Sequence, residues 1–426
     1  MRNFFSFLSL LFKRYSSSSF FVSAPQIISM IVGIITLPII LNNLPTKDYG
    51  VLQFVLTIQL WMIVFSGGNI TLGSKKGIAE GKDGTFFYAF LKRLKLLIVI
   101  GILGILTTVF LWNNSYFAIN NFAELFLILN LYLIFGYLPQ TAYSEYFIAK
   151  KKFKELAFFR IFSGTLVQVG AALVAFLYKD IMLFSIAQFG LLAMTGWICV
   201  GYILIKYKIL LHYGKREIET ECYYYGLKLI PSQVIQASAS YLSNFIIGPF
   251  FGFMNLAIFS IATKLEVLLR NSFTSVFYSL FYSDYVDRGR DGSLKIIKNK
   301  MNFTLILSFL VATLLWLAGY VYIRFFLPPV YHSAILYFFI LILGFPAFML
   351  QIGIKTMLEA FFYHKELTVI AIVPNILFIV FILLFGLWLG IAGIALATTA
   401  NAWITFALYY IIVFHKESVR RFLGRI

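Results

Sequence analysis

Apolar residues run through the chain in twelve long stretches that short polar connections separate. The stretches lie at approximately residues 20–44, 51–72, 94–112, 122–146, 157–178, 181–205, 225–250, 253–282, 301–325, 335–360, 366–388 and 390–414. Each is close to the roughly 20 residues that an α-helix needs to cross the hydrocarbon core of a bilayer. The pattern predicts an all-α integral membrane protein with about twelve transmembrane helices.

The connections alternate in charge along the chain. The even-numbered connections are rich in Lys and Arg, whereas the odd-numbered ones are short and nearly free of them. Short basic connections stay in the cytoplasm. The alternation therefore predicts cytoplasmic termini, with a basic interfacial lead-in at 1–19 and a basic tail at 415–426, and periplasmic connections near Asn114 and Pro328. Arg93 is assigned to the second, cytoplasmic connection.

Three short motifs recur in the same order at offsets of 207 to 211 positions. Gln26-Ile27-Ile28 returns as Gln233-Val234-Ile235, Gly81-Lys82-Asp83-Gly84 as Gly289-Arg290-Asp291-Gly292, and Lys154-Glu155-Leu156 as Lys365-Glu366-Leu367. This predicts a duplication into six-helix lobes at 20–205 and 225–414, joined by a basic linker at 206–224. An even number of helices per repeat relates the halves by an axis along the membrane normal, with a central cavity between them.

Composition excludes several classes of protein. Hydrophobic residues make up 61% of the chain and charged residues 12%, which a soluble core cannot accommodate. The net charge of +18 follows from the basic connections, so we expect no nucleic-acid partner. Two cysteines and four scattered histidines, with no phosphate-binding loop motif, predict no metal site and no cofactor.

The end of the first stretch carries a resemblance to a known family. The segment from Leu37 to Gly50 has a Pro-containing apolar run followed by Asp48, Tyr49 and Gly50. It resembles the end of helix one in polysaccharide flippases of the multidrug/oligosaccharidyl-lipid/polysaccharide (MOP) exporter superfamily. By size and connection pattern the chain is most similar to Wzx-type flippases of O-antigen or capsule repeat units.

This resemblance implies a fold like that of MATE transporters and a location in the bacterial cytoplasmic (inner) membrane. It implies a substrate of undecaprenyl diphosphate carrying a short oligosaccharide, moved from the cytoplasmic to the periplasmic leaflet without enzymatic chemistry. Besides that substrate and membrane lipids, the expected partners are a polysaccharide polymerase and a chain-length regulator.

Charged residues inside the stretches are the first candidates for a substrate site, because charge within a bilayer is costly. The eighth stretch carries Lys264, Glu266 and Arg270, and the tenth carries Lys355 and Glu359. We expect Lys264, Arg270 and Lys355 to bind the diphosphate, with Glu266 and Glu359 positioning them. The alternative is that these are internal ion pairs that fasten helices together.

A polar stripe on the seventh stretch is the second candidate. It consists of Gln233, Gln236, Ser240, Ser243 and Asn244, and Gln26, Ser29 and Gly33 repeat part of it in the first stretch. These side chains could line a cavity and bind sugars. Equally, they could be polar packing between helices. Gln53, Thr57 and Gln59 are weaker candidates, and Asp48 and Gly50 are expected to shape a turn.

Three other functions compete with the flippase. A MATE-type exporter of organic cations would need carboxylates in the cavity, and the first six stretches have no acid near their middle. A membrane enzyme of polysaccharide synthesis would use a large outside connection, which the pattern does not offer. A peptidoglycan-precursor flippase is expected to have two more helices.

Overall fold

The structure, a computed structural model, describes residues 17–66, 70–79, 81–113, 121–209, 230–360 and 364–414. These residues are helical almost throughout and contain no β-strand. Hydrocarbon offers no hydrogen-bond partners, so a lipid-embedded backbone must satisfy its own polar groups, and a helix does so within one segment. The predicted all-α class is confirmed.

The chain packs as two compact units, and the first of them comprises residues Ala24–Ala257. Its helices are α1 (Ser17–Asn43, most of which lies in this unit), α2 (Thr46–Val64), α3 (Ile70–Ala79), α4 (Gly84–Asn113), α5 (Phe122–Ala149), α6 (Phe153–Tyr178), α7 (Ile181–Lys206) and α8 (Ile230–Ile246). Helix α5 contains a π-helical turn at Leu133–Tyr137, and α8 ends in another at Ile247–Phe251. Aromatic residues such as Phe86, Tyr146 and Phe147 form the centre of a buried core.

The second unit contains the described residues from 258 to 414 together with residues 17–23. Its helices are α9 (Phe253–Phe326, which begins in the first unit), α10 (Ala334–Ile342), α11 (Phe345–Ala360) and α12 (His364–Phe414). A smaller core joins α11 to both ends of α12 through Ile354, Met357, Ile370 and Tyr409. Helices α10 and α11 are bent by 42° relative to each other.

Every predicted stretch is helical over most of its described residues, although turns at 65–66 and 343–344 interrupt two of them and the helices do not map one to one onto stretches. Within the described residues seven helical segments are long and apolar enough to cross a bilayer, or eight if the bent pair α10–α11 counts as one span. The last of them, Ile372–Phe414, has 43 residues and would be about 65 Å long if straight, roughly twice the hydrocarbon thickness. Gly390 interrupts it with φ 61° and ψ −139°, a conformation open to glycine.

One connection and one stretch differ from their prediction. The eighth, which includes Gly289 and Gly292, is helical, because α9 continues through it to Phe326. Interior glycines cost about 1 kcal/mol each, which a long helix can absorb. The second stretch ends earlier than predicted, at Val64, and α3 follows it as a separate helix. The predicted lobe boundary at 206–224 falls mostly on residues 210–229, outside the described part of the chain, and stays a prediction.

Contacts between connections agree with the predicted alternation of membrane faces. Lys150 forms an ion pair with Asp83 at 2.5 Å, which joins the second and fourth connections. At the other face, Asp48 and Asp180 of the first and fifth connections lie close enough to interact, and burial raises the pKa of Asp48. The second and fourth connections thus meet each other, and so do the first and fifth.

Large apolar side chains cover the outer surface of the spans. Leu106 and Phe110 on α4 are about 60% exposed, and Leu387 and Trp388 on α12 exceed 80%. Soluble monomers rarely expose contiguous apolar patches of this extent. These surfaces are therefore the lipid-facing sides of the helices, and the chain is a multi-pass membrane protein.

Candidate functional site

The charged residues of the eighth stretch lie on α9, two of them in direct contact. Glu266 and Arg270 are one helical turn apart, and the Arg270 Nη1 atom lies 3.5 Å from Glu266 Oε1. The Glu266 side chain is 14% exposed and that of Arg270 36%. The Arg270 guanidinium also lies over the ring of Phe348 on α11, 5.2 Å from its centroid. A carboxylate and an aromatic face therefore hold this cation in place. Nothing in the sequence pattern indicates the contact with Phe348.

The other predicted charges occupy different environments. Lys264 is half-buried on α9, six residues before Arg270. Lys355 is exposed on α11, and the side chain of Glu359 lies outside the described residues. The structure thus brings Glu266 and Arg270 together, while the substrate roles of all five residues stay predictions.

Part of the polar stripe on the seventh stretch is used between helices. The Asn244 side chain of α8 donates a hydrogen bond of 2.8 Å to the Thr57 hydroxyl of α2. One turn further along α2, the Trp61 indole N–H donates to the Ser238 hydroxyl of α8 at 3.2 Å. These contacts match the packing alternative for Asn244. Ser240 is exposed, whereas the side chains of Gln233 and Gln236 lie outside the described residues.

One polar residue of the first stretch, Ser29, contacts α6 of the same unit. The Gln168 amide of α6 donates a 2.9 Å hydrogen bond to the Ser29 hydroxyl of α1. Within the described part of the chain, the buried Oε1 atoms of Gln26 and Gln168 accept no hydrogen bond. Two buried amide oxygens are thus left ready to accept hydrogen bonds from hydroxyl groups.

Gln59 of the second stretch is used internally as well. Its amide donates to the backbone oxygen of Leu129 on α5, and its side chain is only 2% exposed. It therefore fastens α2 to α5.

Arg93 is a buried cation, and its predicted place in a connection is wrong. The prediction assigned it to a cytoplasmic connection, but it lies within α4 and is only 2% exposed. Its guanidinium is hydrogen-bonded to the Tyr137 hydroxyl, in the π-helical turn of α5, and Glu145 lies near that hydroxyl. A signal was available: Phe86, Phe90, Arg93 and Leu97 follow the spacing of one helix face, and all four are buried.

The fold is shared with solved transporter structures. An inward-facing multidrug resistance MATE transporter of the MOP superfamily superposes with a TM-score of 0.69 at 13% identity, over 97% of each chain. The lipid II flippase MurJ, in an inward closed conformation, gives 0.73 at 14% identity over 92% of this chain and 87% of its own. A MOP superfamily transporter from Pyrococcus furiosus, described as having reversed binding-pocket polarity, gives 0.67 at 14% identity over 94% and 95%.

These likenesses define the class: the chain has the MOP superfamily fold, in agreement with the resemblance seen in the sequence. A search of curated protein sequences gave no match. Residues 44–327, two thirds of the chain, match the family model described as polysaccharide biosynthesis protein. The chain belongs to this family.

Proposed function

We propose that this protein is a flippase for a lipid-linked oligosaccharide. It moves an O-antigen or capsule-type repeat unit on undecaprenyl diphosphate from the cytoplasmic to the periplasmic leaflet of the bacterial inner membrane. It does so by alternating access, catalyses no reaction, and hands its product to a polymerase and a chain-length regulator. Membership of the polysaccharide biosynthesis family supports the pathway, and the likeness to a lipid II flippase supports the mode of transport.

The observation that carries this proposal is the cation held on α9. A diphosphate carries about two negative charges, and moving such charge uncompensated into hydrocarbon costs tens of kcal/mol. Arg270 keeps a side chain that is 36% exposed while Glu266 and Phe348 fix its position. Its planar fork of donors suits phosphate oxygens. Lys264, Glu266 and Arg270 together give this part of α9 a formal charge of +1.

The oligosaccharide would be bound by uncharged polar groups. The amide oxygens of Gln26 and Gln168, which accept no hydrogen bond from the residues that the structure describes, can accept hydrogen bonds from sugar hydroxyls. Gln233, Gln236 and Ser240 are the corresponding candidates on α8. Asn244 is hydrogen-bonded to Thr57, so its role would be to hold α8 against α2 rather than to bind sugar.

A MATE-type exporter of small molecules is the second candidate, because the likeness to a MATE transporter covers 97% of both chains. The charges oppose it for organic cations, since Lys264 and Arg270 outnumber Glu266 on α9. An exporter would lower the sensitivity of a drug-sensitive host to cationic dyes when expressed, whereas a flippase would leave sensitivity unchanged.

Depletion of the protein from its own cell tests the proposal. We expect the lipid-linked repeat unit to accumulate on the cytoplasmic side, where it is inaccessible to a membrane-impermeant sugar label applied to spheroplasts. Re-expression should restore labelling and surface polysaccharide together. If depletion lowers surface polysaccharide while the lipid-linked unit remains accessible from outside, the proposed function is wrong, and a later step is affected.

A further inference from the structure

A groove lies at one end of α9, in the second unit and remote in sequence from Arg270. It has a volume of roughly 530 Å³ and is lined by aromatic, apolar and cationic side chains: Trp316, Tyr320, Arg324, His332, Ser333, Ile335, Leu336 and Phe339. Trp316, Tyr320 and Arg324 recur at every fourth position of α9 and so share one helix face. The opposite wall comes from the start of α10.

Arg324 and His332 form the polar end of this groove. The Arg324 Nη1 atom lies 2.8 Å from His332 Nδ1. Arginine can only donate, so His332 Nδ1 must be the acceptor, and its proton then resides on Nε2. Within the described residues that buried Nε2 atom has no hydrogen-bond partner. The polar end therefore offers the Nε2–H group and the remaining guanidinium N–H groups.

No carboxylate is available nearby in the sequence to neutralise Arg324. Residues 301–358, which include both walls of the groove, contain no Asp or Glu. A guanidinium paired with a neutral imidazole keeps its full positive charge. An anion with several acceptor oxygens, such as a phosphate group, complements this end.

The rest of the groove is built for an apolar chain. Trp316 and Phe339 pack edge to face at 5.5 Å, and Leu336 is 54% exposed beside them. Trp316 lies eight residues before Arg324, about 12 Å further from the helix end. In the described residues its buried indole N–H has no acceptor. A hydrogen-bond donor that lies deeper in the membrane than the phosphate suits the carbonyl oxygen of an acyl ester.

We propose that this groove binds an anionic diacyl phospholipid, with its phosphate on Arg324 and His332 and an acyl chain along Tyr320, Leu336 and Phe339. The groove lies beside the connection near Pro328, which the sequence predicts to be periplasmic, so the lipid belongs to the outer leaflet. The ester carbonyl opposite Trp316 favours a glycerophospholipid over a polyprenyl phosphate, which has no such group. The site does not depend on the proposed transport function.

Lipid retention by the purified full-length protein tests this assignment. The protein is equilibrated with phosphatidylglycerol and phosphatidylcholine of identical acyl chains, and bound lipid is counted by native mass spectrometry. We expect the wild type to prefer phosphatidylglycerol, Arg324→Gln to lower the preference at least fivefold, and Arg324→Lys to restore part of it. Lys179→Gln is the matched control, because it removes one exposed cation from the same predicted membrane face and should change nothing.

Two further measurements separate the possible ligands. Trp316→Phe should weaken retention of ester-linked phosphatidylglycerol but not of its dialkyl ether analogue. Phosphatidylglycerol brominated on its acyl chains should quench the fluorescence of the wild type more than that of Trp316→Phe, which tests the site even if an Arg324 variant does not fold. Equal lipid preference in wild type and Arg324→Gln, or an equal loss in Lys179→Gln, would overturn the proposal. Retention of undecaprenyl phosphate in place of phosphatidylglycerol would overturn it too.

Discussion

Gly50 is placed so that even a methyl group would strain the structure. A Cβ atom at this position of α2 would lie 1.8 Å from the carbonyl oxygen of Phe253 and 2.6 Å from its carbonyl carbon. The obstacle is backbone, so no change of rotamer can relieve it. Overpacking of this kind typically costs about 1–3 kcal/mol, against a gain of up to about 1 kcal/mol for alanine in a helix. We therefore expect Gly50→Ala to lower stability by about 1–2 kcal/mol.

The assay is thermal unfolding of the purified protein in detergent. One kcal/mol corresponds to about 2–4 °C in domains of 150–250 residues, so Tm should fall by several degrees. Gly201→Ala on α7 is the matched control, since no atom lies within 4 Å of its Cβ position, and its Tm should stay equal or rise. Phe253→Ala should not rescue Gly50→Ala, because the clashing oxygen remains. An unchanged Tm in Gly50→Ala, or rescue by Phe253→Ala, would refute this reasoning.

Three further predictions concern the first unit. The hydrogen bond between Asn244 and Thr57 joins α8 to α2. A double-mutant cycle of unfolding with Thr57→Val and Asn244→Leu should therefore give a coupling energy of about 0.5–1.5 kcal/mol. Additive effects of the two substitutions would show that the hydrogen bond contributes nothing to stability. Arg93→Ala should destabilise by about 1–3 kcal/mol, because it leaves the half-buried Tyr137 hydroxyl without its partner, whereas Lys95→Ala, exposed on the same helix, should stay within about 0.5 kcal/mol; equal effects would contradict the burial of Arg93. Burial raises the pKa of Asp48 above 3.8, so folding disfavours its ionised carboxylate. The stability of the wild type relative to Asp48→Asn should therefore be highest below pH 3.8 and should fall as the pH rises and Asp48 ionises. A stability difference that does not change with pH would contradict this.

The sequence predicted what depends on local composition. Long apolar runs must be helices in a bilayer, and the described stretches are helical over most of their length. The ion pair of Asp83 with Lys150 and the proximity of Asp48 to Asp180 fit the alternation of faces, which stays a prediction. The pair Glu266–Arg270 followed from a spacing of four on one helix. These features need only the helical period and the cost of charge in lipid.

What the sequence did not predict depends on tertiary packing. Whether Asn244 lines a cavity or is hydrogen-bonded to Thr57 depends on how α8 packs against α2, which lies almost 190 positions away in the sequence. The π-helical turn at Leu133–Tyr137, which carries the partner of Arg93, has no compositional signal. The continuity of α9 through Gly289 and Gly292 likewise runs against local propensity, since both glycines favour a break.

Transbilayer movement of the substrate in proteoliposomes tests the central claim most directly. Purified protein is reconstituted into vesicles with undecaprenyl-diphosphate-linked oligosaccharide in both leaflets, and an impermeant sugar-modifying reagent reports the exposed fraction. With the wild type, nearly all substrate should become accessible, whereas protein-free vesicles should expose about half. Lys264→Ala, Arg270→Ala should behave like protein-free vesicles if its elution profile and Tm match the wild type. Full activity of that double variant would contradict the role of the α9 cations, and a wild type that leaves half the substrate protected would contradict the flippase itself.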